Sequence, residues 1–212
     1  MYTTTIVIAI AAIALVLWSI SALIARRRHP EPMHPLFSVF IENPLRRRFL
    51  NPRKSLDRIG VAQGMTVLEL GPGPGFLTVE ASHRTGSSGR LCSLDIAPAM
   101  IARVRKKVTG EAADNVSLAV GNGECLPFKD VSFDLAYLVT VIGEIPDQDR
   151  ALRELHRVLR PGGILSVSEF LPDPDYPLKR TITGKAVAAG FEPYQQFGNI
   201  INYVLNFRRT PC

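Results

Sequence analysis

Three glycines at positions 71, 73 and 75, in the stretch ELGPGPGF, carry the most specific chemical pattern in this 212-residue chain. A turn that only reversed the chain would use one glycine with Asn, Asp or Ser. Three glycines spaced by two, with prolines between them, make a turn that is stiff and bare, and a ligand can approach its backbone closely. An acid follows at Asp95, at the end of the next apolar run, LCSLD. A carboxylate in that place can accept hydrogen bonds from both hydroxyls of a ribose. One run further, GNGEC offers an amide at Asn122 and bare backbone at Gly123, suited to reading an adenine edge.

Which nucleotide-like ligand this is follows from what the turn lacks. A dinucleotide fingerprint needs glycines at i, i+2 and i+5. Counted from Gly71, that last place holds Phe76, whose ring would block the helix–strand contact. An NAD-dependent oxidoreductase is therefore the weaker reading. The turn has no basic side chain and no Lys-Ser/Thr pair for a phosphate, so a ligand without phosphates fits better. The three cysteines (92, 125, 212) and four histidines (29, 34, 83, 156) make no metal-ligand spacing, and no metal is expected.

These residues need elements to hold them. Asn51, Pro52 and Gly60 punctuate a short helix as cap, first residue and stop. Strand and helix signals then alternate: strand Thr66–Leu70, helix Phe76–Thr85, strand Arg90–Leu94, helix Pro98–Val108, strands Val116–Val120 and Phe133–Val139. A helix through DQDRALRELHRVLRPGG, with Leu152, Leu155, Val158 and Leu159 on one face and Pro-Gly-Gly as its stop, leads to a strand at Ile164–Glu169. Such alternation predicts a doubly wound, mostly parallel α/β sheet. After a helix across Leu178–Ala189, FEPYQQF and YVLNFRR are too close together for a crossover, so one of them runs antiparallel.

The N-terminal region is of another kind. Thr3–Ala25 holds 23 residues without a charge, about 34 Å as a helix against a hydrocarbon core of about 30 Å. No basic residue precedes it and RRRH follows, which predicts an uncleaved transmembrane anchor rather than a signal peptide. Between Arg26 and Arg58 there are nine basic and three acidic residues, a net +6 that equals the formal charge of the whole protein. Residues 59–212 are neutral. Basic charge beside a membrane span sets orientation and attracts anionic headgroups, whereas a nucleic-acid binder spreads it over the folded domain. The expected organisation is an anchor and basic flank at 1–28, a juxtamembrane linker at 29–50, and a domain at 51–212 on the cytoplasmic side. No nucleic-acid partner is expected.

The motifs together, in this order, resemble the class I S-adenosylmethionine-dependent methyltransferases. The similarity is closest to the small-molecule branch of the ubiquinone/menaquinone-biosynthesis enzymes, over about residues 51–209. The resemblance implies a seven-stranded Rossmann-like sheet with the last strand antiparallel, and S-adenosylmethionine as cofactor. It implies that Glu69 and the Gly71, Gly73, Gly75 turn hold the methionine part. Asp95 would take the ribose hydroxyls, Ile96 would pack on the adenine, and Asn122 and Gly123 would flank that ring. Two departures stand out: Asn122 replaces the usual Asp, and Gly143 and Glu144 occupy the place where the quinone branch often carries a His pair. DPDY at 173–176 lacks the second proline of the amino-methylating DNA enzymes and follows the wrong strand. The function expected is methyl transfer to a small, lipophilic, membrane-associated acceptor: a quinone-type ring, a thiol, a phospholipid amine or another hydrophobic metabolite. No catalytic side chain is assigned. The rival reading outside catalysis is a membrane-anchored cofactor-binding assembly partner.

Overall fold

The computed structural model describes residues 50–171, 173 and 175–210. The expected anchor, its RRRH flank and the linker up to residue 49 lie outside the described residues. No helix among the described residues is long and apolar enough to cross a membrane.

Helix α1, Pro52–Ile59, begins and ends where its punctuation places it. The Asn51 side chain accepts from the Lys54 amide, and Gly60 closes the helix at φ +91°. The chain then lays down strand β1 (Thr66–Leu70), helix α2 (Thr78–Thr85), strand β2 (Arg90–Asp95), helix α3 (Pro98–Gly110) and strand β3 (Val116–Val120). Strand β4 (Phe133–Val139), a 3-10 turn at Ile142–Glu144 and helix α4 (Gln148–Val158) follow. Strand β5 (Leu159–Phe170), helix α5 (Lys179–Ala188), strand β6 (Phe191–Gly198) and strand β7 (Asn202–Arg209) complete the chain.

The seven strands form one sheet in the order β3-β2-β1-β4-β5-β7-β6. The pairs among β1 to β5 are parallel, and β7 is antiparallel to both of its neighbours. The strand order reverses at β1/β4, which is where such sheets open a crevice at the carboxyl ends of their strands.

The apolar period of each element decides the face it covers. Leu56 and Ile59 of α1 and Ala81 of α2 pack on Val67, Leu91 and Leu135. On the opposite face, α4 buries Leu152, Leu155 and Val158, and α5 buries Ile182 and Ala186, against Leu68, Leu138, Leu165 and Leu205. The edge strand β6 is mostly exposed, and it carries Pro193 beside a register shift, features that discourage pairing with another chain.

Several boundaries shift by one or two residues, and two departures have a structural cause. Helix α2 starts at Thr78 rather than Phe76, because the glycine turn continues through Leu77. Pro161-Gly162-Gly163 is not a helix stop separated from the strand: α4 ends at Val158 and β5 begins at Leu159. Phe133 pairs with Leu159 while Leu135 pairs with Ile164, so residues 160–163 bulge within the strand. Gly162, at φ +76°, makes the bulge possible.

Candidate functional site

The turn between β1 and α2 uses its glycines in different ways. All three have positive φ: +73° at Gly71, +54° at Gly73 and +83° at Gly75. The Gly71 amide donates to the Leu94 carbonyl at 2.8 Å, which ties the turn to β2. A Cβ at Gly71 would stand 2.5 Å from a Val141 methyl. Gly71 and Gly73 line a cavity at the carboxyl ends of β1, β2 and β4, together with Pro72, Pro74, Phe76 and Leu77. Gly75 does not line it. A Cβ there would meet Val104 of α3 at 3.4 Å and Thr78 at 3.5 Å, ordinary contacts, so its φ of +83° is what favours glycine at this place.

Asp95 ends β2 and faces the cavity. Its Oδ2 accepts from the Gly73 amide at 3.1 Å and its Oδ1 from the Ala97 amide at 2.9 Å. Burial raises its pKa above the ordinary value, and the two backbone donors oppose that shift. Each carboxylate oxygen keeps further acceptor capacity. The acid therefore shapes the glycine turn and presents itself to a ligand at once. Ile96, half-exposed, offers an apolar surface beside it.

Asn122 and Gly123 also line the cavity, in the loop after β3. The Asn122 Oδ1 turns back to accept from the Glu124 amide at 2.9 Å. Its oxygen thus serves a local turn and keeps a second lone pair, beside the two donors of its NH2 group. A Cβ at Gly123 would stand 3.1 Å from Leu70, so the bare backbone lets the loop close over β1.

Glu69 is buried, at 3% exposure, one residue before the end of β1. Its Oε2 accepts from Thr78 Oγ1 at 2.8 Å and Ser93 Oγ at 2.6 Å. Burial raises its pKa, and the two hydroxyls partly offset the rise. Glu69 lines the floor of the cavity and also joins β1, β2 and the start of α2.

Several lining residues were not singled out by sequence. Tyr137, Val139, Thr140 and Val141 come from the end of β4, and Ile145 and Pro146 from the turn beyond it, where they join Glu144, which the sequence marks as a departure from the quinone branch. Thr140 has φ +55°, an unfavourable conformation for a branched residue, held by the hydrogen bond its backbone N–H donates to the Ser168 carbonyl at 2.8 Å. The signal that would have found them is topological: β4 lies beside β1 where the strand order reverses. Among the described residues the wall contains three carboxylates, Glu69, Asp95 and Glu144, and no Lys, Arg or His. Such a wall suits a ligand that carries positive charge and no phosphate.

This geometry agrees with what the chain is similar to. Residues 41–182 match the ubiE/COQ5 methyltransferase family. A ubiquinone/menaquinone biosynthesis C-methyltransferase of Hahella chejuensis is 40% identical over 119 residues, 56% of this chain and 48% of that protein. The corresponding enzyme of Escherichia coli O1:K1 is 39% identical over 119 residues, 56% of this chain and 47% of that protein. The chain thus spans about half the length of the curated relatives it matches.

Among solved structures, a SAM dependent methyltransferase from Aquifex aeolicus superposes with a TM-score of 0.79 at 21% identity, over 84% of this chain and 100% of that one. The [4+2]-cyclase SpnF shares the fold, with a TM-score of 0.66 at 18% identity, over 76% of this chain and 80% of that one. At these identities the likeness is one of fold, and SpnF shows that the fold alone does not fix the reaction. The family match, the sheet order and the cavity converge: the chain belongs to the ubiE/COQ5 methyltransferase family, a family of S-adenosylmethionine-dependent methyltransferases.

Proposed function

We propose that this protein transfers a methyl group from S-adenosylmethionine to a small lipophilic acceptor held at a membrane. The observation that carries the reading is the cavity wall, which among the described residues holds three carboxylates and no cationic side chain. A pyrophosphate-bearing dinucleotide would be repelled there, whereas a cofactor with a sulfonium and an ammonium group is attracted. When bound, that cofactor supplies a methyl group already made electrophilic by its sulfonium.

The chain's own work is to bind, orient and exclude water. Asp95 takes the ribose hydroxyls and Ile96 the adenine face, with Asn122 and Gly123 at the ring edge. Gly71 and Gly73 bring backbone against the amino-acid part, and Glu69 sets a negative charge beneath it. Phe76, Val139, Val141, Ile145 and Pro146 supply an apolar wall for the acceptor. Fixing two reactants there contributes on the order of 7–11 kcal/mol of the barrier. Glu144 closes the 3-10 turn on the cavity rim, where it can take a proton from an acceptor that must lose one.

The names of the relatives point to a quinone-type ring methylated on carbon as the acceptor. An apolar rim supports a membrane-proximal one. Leu171, Leu178, Ile200 and Ile201 are exposed around the loop after β5, and that loop packs against Gly143, the neighbour of Glu144. Thr3–Ala25, with its basic flank, would anchor the domain on the cytoplasmic face.

The test supplies purified protein with methyl-labelled cofactor and demethylated quinone precursors of increasing tail length, with and without anionic vesicles. Mass spectrometry of the extracts should show label on the ring carbon, and long-tailed acceptors should react only with vesicles present. Tight cofactor binding without label in any lipophilic product would remove the acceptor class.

A further inference from the structure

One buried polar row crosses the sheet beneath the cavity. Ser93, Glu69, Tyr137, Ser166 and Asn206 are consecutive partners on β2, β1, β4, β5 and β7. None is more than 3% exposed. The neighbouring row on the same face, away from the cavity, is apolar through Leu91, Val67, Leu135 and Ile164.

Both ends of the polar row have structural partners. Ser93 and Thr78 donate to Glu69. Ser166 Oγ donates to Asn206 Oδ1 at 2.7 Å, and Asn206 Nδ2 donates at 2.8 Å to the Arg58 carbonyl in the last turn of α1. The middle member differs. The Tyr137 hydroxyl is buried without a hydrogen-bond partner, although it lies near enough to Glu69 for each to perturb the other's ionisation. It lines the cavity. A buried hydroxyl left unpaired is unfavourable, and a ligand group can complete it.

We propose that Tyr137 positions the amino-acid end of the cofactor, its phenol oxygen accepting from the ligand's ammonium group while its O–H donates to Glu69. The inference rests on the cofactor reading above. The ribose site at Asp95 is on β2, two strands away from Tyr137 on β4 and two residues further along, roughly 12 Å between backbones. That separation suits the aliphatic arm joining the ribose to the ammonium group. The ammonium would then meet a phenol backed by a buried carboxylate, so that a cation and an anion share one hydroxyl. The bound cation would favour the charged form of Glu69 and tighten its contact with the phenol.

Tyr137→Phe tests this by calorimetry with three probes: S-adenosylmethionine, S-adenosylhomocysteine and 5′-methylthioadenosine, which lacks the amino-acid end. The first two should bind about 10- to 100-fold more weakly, as for loss of a hydrogen bond to a charged group, and the third with unchanged affinity. Ser166→Ala, in the same row but not at the cavity, should change none of the three. Equal weakening of all three by Tyr137→Phe would make the tyrosine a structural member of the row. Unchanged affinity for all three would also overturn the proposal. If the wild-type protein bound none of the probes, the cofactor reading itself would fall, and this inference with it.

Discussion

The two faces of the central sheet use alternate residues of the same strands and solve different problems. Beneath α4 and α5, strands β1, β2, β4, β5 and β7 present Leu68, Leu94, Ala136, Leu138, Leu165, Val167 and Leu205, an apolar surface. Beneath α1 and α2, the same strands present Ser93, Glu69, Tyr137, Ser166 and Asn206 one row below the cavity. The first face follows the ordinary rule that buried area is apolar and holds the fold together. The second buries a carboxylate, a phenol and hydroxyls, which is unfavourable unless they are paired or serve a ligand. Both faces bury an apolar core, and the second interrupts its core with a polar row that borders the cavity.

The largest effect that would sharpen this contrast is at the turn itself. Gly71→Val puts a branched side chain at φ +73°, with its Cβ 2.5 Å from Val141. Backbone strain there is on the order of 1–3 kcal/mol, and the clash adds to it. Cofactor binding should fall below detection in calorimetry and the thermal midpoint should drop; retained affinity would mean that the turn does not contact the ligand.

Next in size, Leu155→Ala empties a fully buried site on the apolar face. It should destabilise the domain by about 2–5 kcal/mol in urea unfolding. Cofactor affinity at low temperature should stay unchanged. A matching loss of affinity would show that the two faces are not separable.

Asp95→Ala reverses that pattern. Loss of charge-assisted hydrogen bonds to the ribose should cost about 1.5–3 kcal/mol of binding, roughly 10- to 150-fold. Unfolding should shift less, since only the two backbone bonds from Gly73 and Ala97 are lost. An unchanged dissociation constant would reduce Asp95 to a support of the turn.

The smallest effect is one of pH. Burial holds the pKa of Glu69 above its ordinary 4.5 in the folded protein, so the native state binds that proton more tightly than the unfolded chain. The stability contributed by this group is fully present below 4.5 and is lost as pH rises through the folded-state value. The urea midpoint of wild type minus that of Glu69→Gln should therefore decline as pH rises across this window. A difference that rises with pH would show that the hydroxyls of Thr78 and Ser93 outweigh burial.

Much of this was legible in the chain itself. Asn51, Pro52 and Gly60 mark α1 because capping chemistry is local. The apolar runs at Thr66–Leu70 and Phe133–Val139 give their strands to the residue, because a strand buried on both faces leaves a continuous apolar signature. The bulge at residues 160–163 was not legible. Pro-Gly-Gly reads locally as a stop, and only pairing with Phe133 and Leu135 keeps that segment within β5. Within the site, glycine spacing pointed to Gly71, Gly73 and Gly75 alike, and only the fold puts Val141 against Gly71 and Val104 of α3 beside Gly75.

The sequence by itself determined the order of elements, the bare turn after β1, the acid that ends β2 and the uncharged N-terminal stretch, because each depends on residue types close together in the chain. Tertiary structure alone decided that Tyr137 stands between Glu69 and Ser166, that Thr140 is held at positive φ, and that three carboxylates meet in the cavity wall. Those facts depend on which strands become neighbours, and β1 meets β4 only when the sheet closes across more than sixty intervening residues.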